Sequence, residues 1–128
     1  MNNKIKKAYF ILPGFFWALL ITLFSLGPGQ KVPSIIFWDI ISPDKIGHFI
    51  AYTIFAILCI YMIKGLISKK PGRGLLLLIA LFSSLYGLLM EWMQFSFFPG
   101  RFFEVLDIIA NIIGSFSGVF LYSIFTKN

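Results

Sequence analysis

Asp44, His48 and Tyr52 stand four residues apart, so on a helix a carboxylate, an imidazole and a phenol share one face, with Lys45 beside them. Ser84, Gly87, Glu91 and Gln94 form a second series at three- and four-residue spacing. Glu104, Asp107, Asn111, Gly114 and Gly118 form a third. These residue types suit three chemistries. His48, Glu91 and Asp107 could trade protons as general acid and base, histidine being the side chain best suited to titrate near neutral pH. The same three could offer one nitrogen and two oxygens, a set compatible with zinc. No HExxH-like spacing accompanies them, so neither a metal nor a cofactor is assigned. Lys45 and Arg101 could hold a phosphate or carboxylate, the arginine through its bidentate fork.

Plain structural roles compete with each of these. His48 could bridge to Asp44 or Tyr52, and Glu91 could pair with Arg101 as a staple between a helix and the following turn. Asp107 could stabilise a helix start, and Asn111 could hydrogen-bond a neighbouring helix. No nucleophile declares itself. A GxSxG elbow, a phosphate-binding glycine loop and a Cys–His pair are all lacking, and Ser83 and Ser117 fall toward other faces of their helices.

The elements that must position these groups follow from composition. Of 128 residues, 59% are hydrophobic and 12% charged, about half the charged share of a soluble domain. With sixteen phenylalanines, the chain has too little polar surface for a water-soluble globule. Lipid is its natural solvent. A net charge of +6 could point to nucleic acid, but the basic residues sit at the ends of apolar runs and form no basic face. No nucleic-acid partner is expected. Cys59 is alone in an apolar run and reads as a small buried hydrophobe.

A helix needs roughly 20 apolar residues to cross the hydrocarbon core. Four runs qualify, over residues 8–26, 46–67, 74–98 and 105–125. The first resembles a signal peptide but lacks a small-x-small cleavage site, and Gly27-Pro28-Gly29 reads as a helix stop. The expectation is an all-α, polytopic membrane protein, one domain over residues 1–128, in which short connections make a four-helix bundle. Residues 35–41, with Trp38, are too short to span and are expected in the membrane interface.

Charge gives the orientation. Lys4, Lys6, Lys7, Lys64, Lys69, Lys70, Arg73 and Lys127 fall at one end of the four spans, eight of the eleven basic residues. The positive-inside rule then places both termini in the cytoplasm. All five acidic residues, Asp39, Asp44, Glu91, Glu104 and Asp107, fall at the other end, which becomes the extracytoplasmic face. Tyr52, Glu91 and Asn111 all lie about 9–10 Å inside that end, at 1.5 Å per residue. An outward-opening polar pocket built by three helices is the expected arrangement. An intramembrane carboxylate such as Glu91 is costly unless it meets a cation, a donor or water, or is protonated, and it marks a functional site by default.

Asp44-Lys45-x-x-His48-x-x-x-Tyr52, Glu91-x-x-Gln94, Phe98-Pro99-Gly100-Arg101 and Asp107-x-x-x-Asn111-x-x-Gly114-x-x-x-Gly118 occur in this order. Together these strings resemble the VanZ-like family over about residues 44–118. The family is named for a member linked to low-level teicoplanin resistance. The resemblance implies a bacterial cytoplasmic membrane protein acting near the cell envelope, without a settled activity.

The ligand-binding set expected from these readings is Asp44, Lys45, His48, Tyr52, Glu91, Gln94, Arg101, Asp107 and Asn111. Its ligand would be an envelope lipid, a cell-wall precursor or a lipoglycopeptide seated in the outer leaflet, with low-level teicoplanin-type resistance or envelope maintenance as the outcome. The alternative is a membrane-embedded enzyme on the same substrates, using His48, Glu91 and Asp107. A transporter fits less well, since a one-sided polar cluster offers no cytoplasmic half-site. Gly114-x-x-x-Gly118 suits helix association within one chain or between two, which admits a homodimer beside membrane lipids as partners.

Overall fold

Helix α1 (Asn3–Ser25), α2 (Pro43–Ile67), α3 (Arg73–Phe97) and α4 (Val105–Phe125) make up a computed structural model that describes residues 3–27 and 42–126. The helices run 21 to 25 residues, roughly 31–38 Å at 1.5 Å per residue, against a hydrocarbon core of about 30 Å. All four are long and apolar enough to cross a membrane. The interfacial segment expected over residues 35–41 lies outside the described residues.

Local chemistry sets the helix ends. Ser42 takes an extended backbone as N-cap and Pro43 occupies the first turn, where its missing N–H costs nothing. This starts α2 three residues before the expected Ile46, because capping marks the helix start whereas hydropathy marks only its apolar length. Ser68, in the left-handed region, closes α2 with its N–H on the Lys64 carbonyl. Between α3 and α4, Pro99 and Gly100 (φ 84°) bring the Arg101 N–H to the Phe98 carbonyl at 3.2 Å, the pattern of a type II turn.

Helix α4 packs most extensively on α2, through glycines. A Cβ on Gly114 would overlap the Phe49 carbonyl oxygen, and one on Gly118 would lie 2.5 Å from that of Thr53. The Thr53 hydroxyl also donates to the Gly114 carbonyl at 3.1 Å. On the other side of α4, Gly87 of α3 lets the Asn111 side chain approach to 2.8 Å of where a Cβ would stand. Ser83 and Ser115 share a 2.9 Å hydrogen bond inside the α3–α4 contact, both fully buried. The sequence reading put Ser84 on this face. Ser83 takes the place because it lies four residues before Gly87 and eight before Glu91, keeping the buried stripe straight. Ser84 instead bonds back to the Ala80 carbonyl.

Helix α1 lies outermost and is stitched on by polar groups. Trp17 donates its indole N–H to the Ala51 carbonyl at 2.9 Å. Thr22 and Tyr86 share a 2.5 Å hydroxyl contact, and Tyr86 reaches the Ala18 carbonyl. The apolar core is small, with Tyr52, Phe55, Ile60, Ile79, Met90 and Tyr122 buried. Large apolar side chains such as Leu78, Leu85, Phe95, Phe120 and Phe125 face outward. This inversion suits lipid as solvent, since side chains facing acyl tails gain nothing by burial.

The up-and-down path separates the charges. Lys7, Lys64, Lys69 and Lys70 line one cleft at the end where α2 meets α3, and Lys70 Nζ bonds the Thr126 carbonyl. Lys45, Glu104 and Asp107 meet at the opposite end.

Candidate functional site

At that opposite end, three helices supply a connected set of charged and polar groups. Lys45, in the first turn of α2, sits between two carboxylates of α4 and its cap, with Nζ 3.4 Å from Glu104 Oε2 and 3.4 Å from Asp107 Oδ1. Its side chain is 13% exposed, so these carboxylates largely occupy it. One turn deeper on α2, His48 Nδ1 lies 3.0 Å from Asn111 Oδ1, while Nε2 stands 3.7 Å from Asp107 Oδ2 and 3.9 Å from Asp44 Oδ1. Asp107 is buried and Asp44 is exposed, so the cluster runs from the surface into the bundle.

Glu91 comes from α3. It is 1% exposed, and both its carboxylate oxygens are buried without a hydrogen-bond partner. Asp107, His48 and Glu104 are its ionisable neighbours. Tyr52 stands nearby with its hydroxyl also buried and unpaired, Tyr86 and Glu91 being its ionisable neighbours. A buried polar atom without a partner costs free energy comparable to a lost hydrogen bond. Several such atoms converging here mark a part of the fold not optimised for stability.

Most of the sequence-predicted set is therefore brought together: Asp44, Lys45, His48, Tyr52, Glu91, Asp107 and Asn111. Two members turn away. Gln94 donates its amide to the Ser25 carbonyl at 2.6 Å and so fastens α3 to the end of α1. Arg101 sends Nη2 to the Gly27 carbonyl at 3.3 Å, and its Nε is buried without a partner. No ion pair joins Arg101 to Glu91, because the Phe98–Arg101 turn aims the guanidinium at the end of α1. Sequence reasoning missed Glu104 as the partner of Lys45. Its position four residues after the Pro99-Gly100 turn, at the α4 cap, was the available signal.

The model of the VanZ/LLP1 family matches residues 10–126, nearly the whole chain. The chain belongs to this family. Neither the curated proteins nor the solved structures give a match. The matched region takes in all four helices, including the first, which carries none of the charged cluster. As a VanZ/LLP1 family member with four spanning helices, the protein is a multi-pass membrane protein.

Proposed function

We propose that the charged end of this VanZ/LLP1 protein engages the anionic head of an amphiphile at the extracytoplasmic face of a bacterial cytoplasmic membrane. The amphiphile is an envelope lipid, a lipid-linked cell-wall precursor, or a lipoglycopeptide anchored among such lipids. Low-level teicoplanin-type resistance or envelope maintenance would follow from that binding. The orientation rests on the positive-inside rule, eight of the eleven basic residues lying at the other end.

The observation that carries this reading is Arg101. Lys45 is taken by two carboxylates, whereas the Arg101 guanidinium has none among the described residues and keeps donors to spare. Exposed Phe95, Phe97 and Phe103 flank the turn that holds it, giving acyl chains an aromatic surface beside a phosphate-binding fork. A second reading, a membrane-embedded enzyme acting on the same amphiphiles, draws on the buried and unpaired Glu91 beside His48 and Asp107.

The test is thermal stability of the detergent-purified protein with added polyprenyl phosphate, teicoplanin or phosphatidylcholine. Stabilisation of the wild type by an anionic amphiphile but not by the zwitterionic lipid, and its loss in Arg101→Ala, supports the binding reading. Equal response to all three, or an unchanged response in Arg101→Ala, removes it. Chemical turnover of the added lipid would move the assignment to the enzyme reading.

A further inference from the structure

His48 Nε2 faces two carboxylates across the α2–α4 seam. One donor atom from each of Asp44, His48 and Asp107 lies within 4.8 Å of those from the other two. The opposite side of the ring decides what Nε2 offers. Asn111 Oδ1 is an acceptor, so with the amide in this orientation the 3.0 Å contact places the ring proton on Nδ1. A neutral His48 thus turns a bare Nε2 lone pair toward Asp107 and Asp44. Lone pairs and carboxylates directed at one another need a positive charge between them, either a second ring proton or a metal ion.

Three features favour the metal. Metal-binding histidines give their other N–H to an oxygen acceptor that fixes tautomer and ring orientation, which is the part Asn111 plays. Asp107 divides its oxygens, Oδ1 facing Lys45 and Oδ2 facing the imidazole, so one remains for a cation while the other is held. Independently of the triad, Glu91 enters from α3 at 1% exposure with both oxygens unpartnered, and His48 and Asp107 are among its ionisable neighbours. A second proton on His48 would give this end one more positive charge against Asp44, Glu91, Glu104 and Asp107. A dication would give two and would leave the ring neutral.

We infer that Asp44, His48 and Asp107 form a binding site for a divalent transition-metal ion of the zinc class, with Glu91 beside it. The donor set, one imidazole nitrogen and two carboxylate oxygens, fits zinc-class ions. Magnesium and calcium prefer oxygen alone. Tetrahedral donors at about 2.0–2.1 Å from zinc stand roughly 3.3–3.4 Å apart. The 3.7 and 3.9 Å separations of Nε2 from the two carboxylates reach that spacing with small side-chain adjustments, and the two carboxylate oxygens, within 4.8 Å of each other, draw together as they do so. Asp44 is exposed at the bundle end and gives the ion its way in, so no helix has to move. Arg101 takes no part, and the site is independent of the headgroup reading above.

The experiment is metal titration of the detergent-purified protein, freed of its affinity tag and stripped with chelator. Zinc binding is followed by calorimetry, and cobalt binding by its visible absorption, which reports coordination directly. One ion per chain is expected in the wild type. Asp44→Asn, at an exposed position, should weaken binding by roughly tenfold or more, and Asn111→Ala should weaken it by about 10–100-fold through the freed ring. His48→Ala should abolish the cobalt spectrum while the protein still elutes as a folded species. A wild type that takes up neither zinc nor cobalt would overturn the inference. So would Asp44→Asn and Asn111→Ala variants that bind as tightly as the wild type.

Discussion

His48 and Asn111 hold α2 and α4 together at the charged end through a 3.0 Å contact between Nδ1 and Oδ1, and Gly87 of α3 leaves the space that Asn111 fills. One hydrogen bond therefore fixes both a helix seam and the direction of an imidazole. Asn111→Ala leaves the half-buried His48 N–H without its acceptor and should cost about 1 kcal/mol. Combined with His48→Ala, the losses should fall short of additive by roughly 0.6–1.7 kcal/mol, the range for interhelical hydrogen bonds in membranes. Reversible unfolding in mixed detergent–SDS micelles measures the cycle. Strict additivity would mean that the contact does not couple the two helices.

Close approach of α2 and α4 depends on Gly114 and Gly118. In both cases the atom a Cβ would meet is a backbone oxygen, which cannot swing aside as a side chain can. Gly114→Ala and Gly118→Ala should each destabilise by about 1–3 kcal/mol through overpacking. Gly47→Ala, on the same pair of helices but with nothing within 4 Å, is the matched control and should be neutral. Equal melting temperatures for Gly114→Ala and Gly47→Ala would rule out the close seam.

The four spans and the charge asymmetry were legible because the hydrocarbon core demands length and apolarity, and both can be counted. The convergence of His48, Glu91, Asp107 and Asn111 was legible too, since three-four spacing and depth along antiparallel helices locate side chains without coordinates. Pairing was not. Glu91 and Arg101 look adjacent along the chain, yet a type II turn directs the arginine to Gly27, and Lys45 takes Glu104 and Asp107 instead. Helix rotation was the other gap. Ser83 and Ser84 differ by about 100° around α3, and only packing against Ser115 selects Ser83. Gln94 fits the polar stripe by spacing, but its long side chain reaches around to α1.

Helix α1 packs on α2 but barely touches α3, so its attachment to α3 should respond to single polar groups. Tyr86→Phe keeps the ring packed 5.1 Å from Phe55 while removing the hydroxyl bonded to Thr22 and Ala18. A loss of about 1 kcal/mol is expected. Amide exchange should rise in α1 around Thr22 and stay unchanged in α4. A rise spread over all four helices would show that α1 is an integral part of one cooperative unit.

Drug susceptibility separates the envelope reading from a purely structural role for Arg101. In a sensitive Gram-positive host, the wild type should raise teicoplanin tolerance without an equal effect on vancomycin, which lacks the lipid tail. Arg101→Ala at equal membrane abundance should lose that selectivity. No protection by well-expressed wild type would disconnect this member from lipoglycopeptides and direct attention to native envelope lipids.

Glu91 sets stability against function. Its carboxyl group is buried with no hydrogen-bond partner, so no hydrogen bond offsets the cost of placing it there. Glu91→Gln preserves the shape and removes the ionisable oxygen. If the residue served packing alone, the amide would be neutral or harmful. A functional residue held at a cost in stability predicts the opposite pairing, a melting temperature raised by several degrees together with lost ligand response. Melting in detergent with and without anionic amphiphile reads both quantities on one sample. A Glu91→Gln variant that melts lower and still responds like the wild type would make Glu91 a structural residue and remove it from the site.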